Sequence, residues 1–334
     1  MRVVFLGSPP FAVPIFERLL ASAHTTAALV TQPDKPKGRG MKVEVSPLAA
    51  RAAERNVPVL QPATTKDAEF VSALRALAPD VLLVASYGEI LRRDVLELAP
   101  HGALNVHASL LPRWRGASPI QAAVLAGDAE TGVCVQRMVL ALDEGDVALE
   151  LRTPIGAHEN AGELLQRLAV LGADAALETL DLLAAGRARF TPQDPARATF
   201  ARKIPKERGR IDWSRSAAEL ERHVRAFTPW PGARTALGGQ DLTLVDVRVA
   251  PNAPLAVRTP GALTQSKDGL WVACGTDALR ILRLKPAGKG VRDADAWLRG
   301  ARLAADAHFD VAPRVEPRAN DVPAPRTAGP EARS

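Results

Sequence analysis

Two apolar runs in the first third of the chain predict neighbouring buried strands of a sheet. They span residues 80–88 and 102–106, and runs this apolar are typical of parallel strands that are covered on both faces. The second run ends by presenting the carboxamide of Asn105 and the imidazole of His107. Residues i and i+2 of a strand share a face, so we expect both polar groups to enter one cleft. That cleft would lie at the carboxyl end of the sheet, where open α/β folds bind ligands.

Strand-like and helix-like patterns alternate along the first quarter of the chain. Strands are predicted over residues 2–6, 27–31 and 57–61, and helices over residues 11–21, 46–56 and 66–77. Such alternation indicates βαβ units, and therefore an α/β fold with a Rossmann-like parallel sheet and right-handed crossovers. The pattern Gly-x-Gly-x-x-Gly is absent after the first strand, so a dinucleotide cofactor is not expected.

An acidic turn further along the chain supplies a third candidate residue. Asp143 lies in the sequence LDEGD (residues 142–146), between strand-like runs at 132–139 and 147–155 that we expect to pair. Asn105, His107 and Asp143 form either a site or a structural strand, turn and basic loop, and the residues alone leave both open. Ser109 sits in no Gly-x-Ser-x-Gly elbow, which disfavours serine hydrolysis. Cys134, His107 and Asp143 lack the spacing of zinc ligands.

A long ordered motif then narrows the choice. Residues 105–121 read NVHASLLPRWRGASPIQ, and together with Asp143 they resemble the folate-dependent formyltransferases. The full motif is similar to that of the methionyl-tRNA formyltransferase family, and the resemblance extends to about residue 310. One departure is Ala108, where the family usually has glycine. The added methyl would tighten the loop if that backbone needs a positive φ.

The resemblance implies a reaction and roles for these residues. A formyl group would pass from 10-formyltetrahydrofolate, as co-substrate, to the α-amino group of methionine on initiator tRNA, by direct acyl transfer without a metal. Asn105 and His107 fit the donors for the developing oxyanion, and Asp143 fits the carboxylate that holds the imidazole protonated and joins a proton relay. Tyr87 and Gly88 line the folate pocket or pack the core, and the sequence does not separate these. The expected folate contacts are Ser109, Leu110, Leu111, Pro112, Tyr87 and Gly88.

A basic loop follows the second predicted strand. Residues 32–47 are rich in proline, glycine and cations, which is typical of a flexible solvated loop. The resemblance favours a second interpretation, in which Arg39 enters the acceptor-stem end of the initiator tRNA. Gly38 and Gly40 would let the loop become ordered only on binding, at a cost in entropy. The expected tRNA contacts of this loop are Lys35, Lys37, Arg39 and Lys42.

The positive charge of the chain lies in its second part. Residues 201–334 hold 23 Lys and Arg against 15 Asp and Glu, whereas residues 1–200 hold 20 against 22. A basic part joined to a neutral one suggests a polyanionic partner, and a generally arginine-rich composition is the alternative. Strand patterns at 241–249, 261–265, 270–274 and 279–284 predict a small barrel, which the resemblance makes OB-like. Lys285 and Lys289, on a basic loop of this barrel, are expected to contact tRNA phosphates.

These patterns predict the organisation of the whole chain. We expect a catalytic formyltransferase domain over residues 1–188, a linker over 189–209, an OB-like tRNA-binding domain over 210–310 and a disordered tail over 311–334. Cys134 and Cys274 lie far apart in apolar runs, which favours two buried thiols in a reducing compartment. No signal peptide or transmembrane run is recognised, so we expect a cytoplasmic protein with no membrane partner and no obligate protein partner.

Two other functions remain open. One is a related formyltransferase that acts on a sugar nucleotide, because the residues around Asn105, His107 and Asp143 allow it and only the basic parts argue against it. The other is a non-catalytic tRNA-binding module with a decayed enzyme domain, which the retention of all three residues disfavours. Arg113 and Arg115 are either loop charges or contacts to an anionic partner. Trp114 either packs beneath the loop or stacks on a ligand.

Overall fold

The computed structural model describes residues 1–34, 36–37, 42–43, 45–301, 303–304 and 306–310, and of residues 36–37 and 42–43 only the backbone. The predicted tail at 311–334 therefore lies outside the described residues. The chain divides into two compact units. Among the described residues, the first unit comprises those within 1–119, 130–154 and 164–200, and the second comprises those within 120–129, 155–163 and 201–310. The domain boundaries drawn at 188 and 210 remain a prediction.

Both units combine strands with helices. The strands are β1 (Arg2–Gly7), β2 (Thr25–Val30), β3 (Pro36–Lys37), β4 (Lys42–Val43), β5 (Val59–Leu60), β6 (Val81–Ala85), β7 (Ala103–His107), β8 (Glu130–Arg137), β9 (Val147–Pro154), β10 (Ala233–Leu237), β11 (Gln240–Val249), β12 (Leu263–Ser266), β13 (Gly269–Ala273), β14 (Ala278–Pro286) and β15 (Arg292–Asp293). The helices are α1 (Ala12–Leu20), α2 (Pro47–Glu54), α3 (Ala68–Ala76), α4 (Arg93–Leu96), α5 (Pro119–Ala126), α6 (Ala161–Ala184), α7 (Ala217–Phe227) and α8 (Ala294–Leu298). None of the helices described here is long and apolar enough to cross a membrane.

The first unit is built on a seven-stranded sheet in the order β5-β2-β1-β6-β7-β8-β9. The strands from β5 to β7 are parallel, whereas β8 and β9 pair antiparallel at one edge. This confirms the predicted Rossmann-like parallel sheet. It also confirms that the runs on either side of Asp143 pair with each other, since they form β8 and β9.

The central strands are covered on both faces, as their apolar runs predict. Every residue of β6 is buried, and so are Val3 to Gly7 of β1. Helix α6 covers one face of the sheet, because a Cβ added to Gly172 of that helix would lie 3.0 Å from Cγ1 of Val106. Side chains alternate along a strand. Asn105 and His107, on either side of Val106, therefore point away from α6 to the opposite face.

The second unit contains an antiparallel sheet in the order β10-β11-β14-β13-β12, with β15 paired to β14. A segment close to residue 310 closes this sheet. Phe309 bridges Leu237 of β10, and His308 bridges Ala262 next to β12. The N–H of Phe309 donates to Gly261 O at 2.9 Å and that of Asp310 to Ala236 O at 2.8 Å. The result is a small barrel, as predicted. Strand β10 was not predicted, because its residues, ARTAL, show no regular alternation of apolar and polar side chains.

Helix α7 starts at the N-cap residue Ser216. The Ser216 side chain accepts a hydrogen bond from the N–H of Glu219, whose carboxylate in turn accepts from the Ser216 N–H, so the two residues form a capping box. Burial alone would raise the pKa of Glu219, but hydrogen bonds from Arg215 and Ser216 outweigh it and lower this pKa to about 2. The cap thus adds a charge-dependent contribution to the stability of the second unit.

Candidate active site

The site is built on one face of β7 and its neighbour β8. In the antiparallel pair, Asn105 lies directly opposite Gln136 and His107 directly opposite Cys134. Opposite residues of an antiparallel pair project to the same face. The strand register therefore places a second carboxamide, that of Gln136, beside Asn105 on the face that α6 leaves free.

His107 is held by the backbone on one side and by a carboxylate on the other. Its Nε2 lies 3.0 Å from the carbonyl oxygen of Trp114. A carbonyl only accepts, so Nε2 carries the hydrogen and donates it. Its Nδ1 lies 3.7 Å from Oδ2 of Asp143, an ion-pair distance that is too long for a hydrogen bond. His107 and Asp143 thus come together as the sequence predicted, 36 residues apart in the chain.

Both partners of His107 have unusual backbone conformations. Trp114 has φ 62° and Asp143 has φ 52°, in the left-handed region that residues other than glycine seldom adopt. The left-handed turn at Trp114 buries its ring and directs its carbonyl to the imidazole. Ala108 does not have a positive φ, so the methyl at this departure from the family is accommodated without strain.

Asp143 has a fixed orientation because both of its carboxylate oxygens accept hydrogen bonds. Oδ2 accepts from the N–H of Gly116 at 2.8 Å, and Oδ1 accepts from Nε2 of Gln136 at 2.8 Å. The tight turn depends on Gly145, where an added Cβ would lie 1.7 Å from Arg137 O. The glycine in the predicted turn is therefore required by a close backbone approach.

The carboxamide of Asn105 differs from the carboxylate of Asp143 in its hydrogen bonding. It is partly exposed, and it makes no hydrogen bond to any other residue that the structure describes. A partly exposed amide beside a held imidazole offers free N–H groups to a ligand. Such a pair can stabilise negative charge that develops on a carbonyl oxygen.

Two residues that sequence reasoning missed complete this arrangement. Gln136 contacts Asp143 as described above. The side-chain nitrogen of Gln193 lies 2.8 Å from Asp143 O and 2.7 Å from Gly145 O. Gln136 could have been found from the period of two in β8, whereas Gln193 lies in a proline-containing segment with no recognisable pattern.

The loop after β7 carries four of the residues expected to bind folate. Ser109 is fully buried and its hydroxyl donates to Arg113 O at 2.6 Å. Leu111 is buried and its N–H donates to Sγ of Cys134 at 3.3 Å. Leu110 and Pro112 are partly exposed. Ser109 and Leu111 thus anchor the loop to the protein. Of the four residues, only Leu110 and Pro112 are partly exposed to solvent.

Tyr87 and Gly88 follow β6 at the same edge of the sheet. The Tyr87 ring lies in the apolar core of the first unit, and its hydroxyl is buried with no hydrogen bond to the described residues. Burial, together with the charge of Glu89, raises the pKa of Tyr87 to about 12. Gly88 is exposed with φ 85°, and nothing lies within 4 Å of an added Cβ. Tyr87 therefore packs the core, while Gly88 faces open space.

The residues between Pro112 and Gly116 are engaged with the protein. Arg115 is 4% exposed and pairs with Glu144 at 2.9 Å. The guanidinium of Arg113 lies 4.2 Å from the centre of the Trp114 ring. Of the alternatives left open, Trp114 packs beneath the loop, and Arg115 has an internal partner.

The residues expected to contact tRNA are only partly within the described chain. Lys35 and Arg39 lie outside it. Lys37 and Lys42 pair across the short strands β3 and β4, and nothing is described of their side chains. Lys285 and Lys289 are exposed at the end of β14 and in the loop that follows.

Cys134 lies beneath the site as a free, buried thiol, and Cys274 is a second one in the other unit. Burial raises the pKa of Cys134 to about 12, so it is protonated at neutral pH. Among the described residues, no group of three or more His, Cys, Asp or Glu side chains is placed to hold a metal ion.

Family comparisons agree along most of the chain. The formyl transferase family matches residues 1–180, and the formyl transferase C-terminal domain matches residues 203–302. The methionyl-tRNA formyltransferase of Pseudomonas fluorescens (strain SBW25) is 48% identical over 298 residues, which cover 89% of this chain and 93% of that protein. The methionyl-tRNA formyltransferase of Anaeromyxobacter dehalogenans is 46% identical over 304 residues, which cover 90% of this chain and 97% of that protein.

Solved structures of lower identity share the fold. An N-formyltransferase from Helicobacter canadensis, in complex with folinic acid and dTDP-3-aminofucose, matches with a TM-score of 0.62 at 14% identity, over 84% of this chain and 98% of that one. HypX from Aquifex aeolicus, in complex with tetrahydrofolic acid, gives 0.59 at 17% identity, over 89% of this chain and 47% of that one. From the two family matches and the relatives that are nearly half identical, the chain belongs to the methionyl-tRNA formyltransferase family of formyl transferases.

Proposed function

We propose that this site transfers the formyl group of 10-formyltetrahydrofolate to the α-amino group of methionine on initiator tRNA. The observation that carries the proposal is the free carboxamide of Asn105 beside an imidazole, His107, that the Trp114 carbonyl and Asp143 hold in place. Such donors suit acyl transfer, and the chain belongs to a family that carries this chemistry.

The reaction asks for charge stabilisation and proton movement. The amine nitrogen attacks the formyl carbon, and the carbonyl electrons move to the formyl oxygen. When these electrons return and the C=O bond re-forms, the bond from carbon to the folate nitrogen breaks, and a proton passes from the amine to that nitrogen. We assign the N–H groups of Asn105 and the protonated Nδ1 of His107 as donors to the oxyanion. Asp143 lies 3.7 Å from Nδ1, too far for a hydrogen bond, so this nitrogen remains available to the substrate.

Removing one such donor should therefore mainly affect turnover. We expect Asn105→Ala to lower kcat by about 10²–10³-fold, the usual cost of one lost oxyanion donor. The thermal stability should hardly change, because the carboxamide makes no hydrogen bond to the described residues that would be left unpaired. An Asn105→Ala enzyme that keeps its kcat would remove this residue from the mechanism.

Exposed apolar side chains in the loop after β6 and in the turn between β8 and β9 support folate binding at this site. Ile90, after β6, is 85% exposed, and Leu140 and Leu142, in the turn before Asp143, are 60% and 61% exposed. A flat aromatic ring system is a fitting occupant of such surface, since ligand sites are mainly apolar with a few polar anchors. The folate would then lie beside the predicted contacts Leu110 and Pro112.

The proposed tRNA contacts rest on the positive charge of the side chains concerned. Exposed Lys285 and Lys289 would bind phosphates of the tRNA body. The loop that carries Arg39 would position the acceptor end, as the family resemblance suggests. The two-domain division at residues 188 and 210, and a cytoplasmic location beside the translation machinery, belong to the same proposal.

The test is a formylation assay with two classes of acceptor. Purified protein is given 10-formyltetrahydrofolate with either methionyl-initiator tRNA or amino-sugar nucleotides. We expect formylation of the charged tRNA alone. Activity only on the sugar nucleotide would contradict the proposed acceptor. If a folate titration gives no binding and neither acceptor is formylated, a non-catalytic tRNA-binding module is the better description.

A further inference from the structure

We propose that Gln193 is a positioning residue for formyl transfer, which acts by fixing the turn that carries Asp143. This inference rests on the proposed function. The residue lies in the segment after α6, which the sequence suggested to be part of a linker. In the structure, its side chain instead reaches the turn between β8 and β9.

The orientation of the Gln193 amide is determined by its neighbours. Nε and Nη2 of Arg115 lie 3.1 Å and 2.8 Å from Oε1 of Gln193. A guanidinium only donates hydrogen bonds, so the oxygen of this amide must face Arg115 and its nitrogen must face the turn. Arg115 is itself buried and paired with Glu144, which holds the amide in this orientation.

The amide nitrogen then bonds to the catalytic turn at two points. It donates to the carbonyl oxygens of Asp143 and Gly145 at 2.8 Å and 2.7 Å, and it lies 3.3 Å from Oε1 of Gln136. Gln136 in turn donates to Oδ1 of Asp143. Both the backbone and the carboxylate of Asp143 are thus tied, directly or through Gln136, to one amide that is 50 residues away in the chain.

The rest of this segment is attached independently of Gln193. Thr191 and Val147 exchange two backbone hydrogen bonds of 2.9 Å each. Further on, Oγ1 of Thr199 accepts from the Trp114 N–H at 2.9 Å, so the same segment also holds the loop whose carbonyl binds His107. Loss of the Gln193 side chain should therefore leave the segment in place and disturb mainly the position of Asp143.

The experiment compares Gln193→Leu, which keeps the size but removes every hydrogen bond of the amide, with Asp194→Ala as a matched control. Asp194 is the exposed next residue, and its carboxylate accepts only from the N–H of Ala196 within the described residues. We expect Gln193→Leu to lower kcat by about 10- to 100-fold, since small misplacements of a reacting group cost this much. The KM for charged tRNA should stay within about threefold, because the amide acts on the reacting centre and not on general binding. Asp194→Ala should match the wild type.

A double-mutant cycle distinguishes positioning of Asp143 from a general structural role. If Gln193 acts through Asp143, adding Gln193→Leu to Asp143→Asn should change kcat by less than about twofold, because coupled residues are not additive. A full and independent loss in that background would overturn the proposal, as would a normal kcat for Gln193→Leu alone. Gln193→Glu serves the same cycle if Gln193→Leu does not fold, because it keeps the acceptor for Arg115 and removes the two donors to the turn.

Failure of the proposed function would give different results from failure of the inference about Gln193. Wild-type protein that formylates no acceptor, or Asp143→Asn protein with full turnover, would contradict the proposed reaction or the role of Asp143. The inference about Gln193 fails on its own if the wild type is active and Asp143→Asn is impaired, yet Gln193→Leu is unaffected.

Discussion

Replacement of Gly145 by alanine tests whether the position of Asp143 controls turnover. The added Cβ would lie 1.7 Å from Arg137 O and 2.8 Å from Arg137 C, whereas ordinary contacts begin at 3.4 Å. The turn must therefore move away from β8 by about 1.7 Å. Asp143, two residues earlier in the same turn, should move with it.

The size of the effect follows from that displacement. A misplacement of about 1 Å can cost about 10² in rate, so we expect Gly145→Ala to lower kcat by at least about 10². The shift would also strain the hydrogen bonds from Arg137 N to Asp146 O and from Gln193 to Gly145 O. At about 1 kcal/mol each, their loss should lower the free energy of unfolding by about 2 kcal/mol.

Gly186→Ala is a control of comparable stability cost. Gly186 has φ 65° and nothing within 4 Å of an added Cβ, so alanine there should cost about 1–2 kcal/mol of backbone strain. It should leave kcat unchanged, because it lies outside the site. Urea unfolding and formylation of charged initiator tRNA, measured for both variants, separate lost stability from lost positioning. A folded Gly145→Ala enzyme with a kcat within about twofold of wild type would refute the reasoning.

Three further predictions concern His107, the cations expected to contact tRNA, and Glu219. His107→Ala should lower kcat by about 10²–10³ with little change in tRNA affinity, because the imidazole serves the reacting centre; near-normal turnover would exclude it from the mechanism. Neutralising Lys285 and Lys289 should weaken the binding of all tRNAs alike and flatten the salt dependence of that binding. Arg39→Ala should instead mainly reduce formylation of initiator tRNA. Equal losses of affinity for initiator and elongator tRNA in Arg39→Ala would argue against a positioning loop. The pKa of Glu219, lowered from 4.5 to about 2, means that its carboxylate stabilises the fold fully above about pH 4.5 and loses this effect as the pH falls towards 2; the stability difference between wild type and Glu219→Gln should vanish over that window, and a constant difference would contradict it.

Much of the site could be predicted because its signals are local. The apolar run of β7 fixes a strand, and the period of two places Asn105 and His107 on one face. The glycine-containing turn indicates that Asp143 lies at a sharp reversal between paired strands.

Other features lie beyond local patterns. The closure of the barrel depends on Phe309 reaching β10, about 70 residues away, and the run that forms β10 gives no signal of its own. Tyr87 was an expected folate contact, and whether it packs the core depends on which side chains surround it. Of the residues that the resemblance marks for tRNA, Lys35 and Arg39 lie outside the described chain, and their roles remain predictions.

The sequence by itself determined the α/β fold, the strand that carries Asn105 and His107, and the turn that carries Asp143. It also determined the family to which the chain belongs. Each of these is encoded within a few neighbouring residues, by strand periodicity, glycine or an ordered motif. Only the tertiary structure decided that the Trp114 carbonyl orients His107 and that Gln136 and Gln193 orient Asp143. From the sequence, a glutamine in a proline-containing segment is expected to have a solvated side chain. Short-range propensity does not say which distant segment will supply its hydrogen-bond partners. That choice is made when the sheet order and register bring the segment after α6 against the turn between β8 and β9.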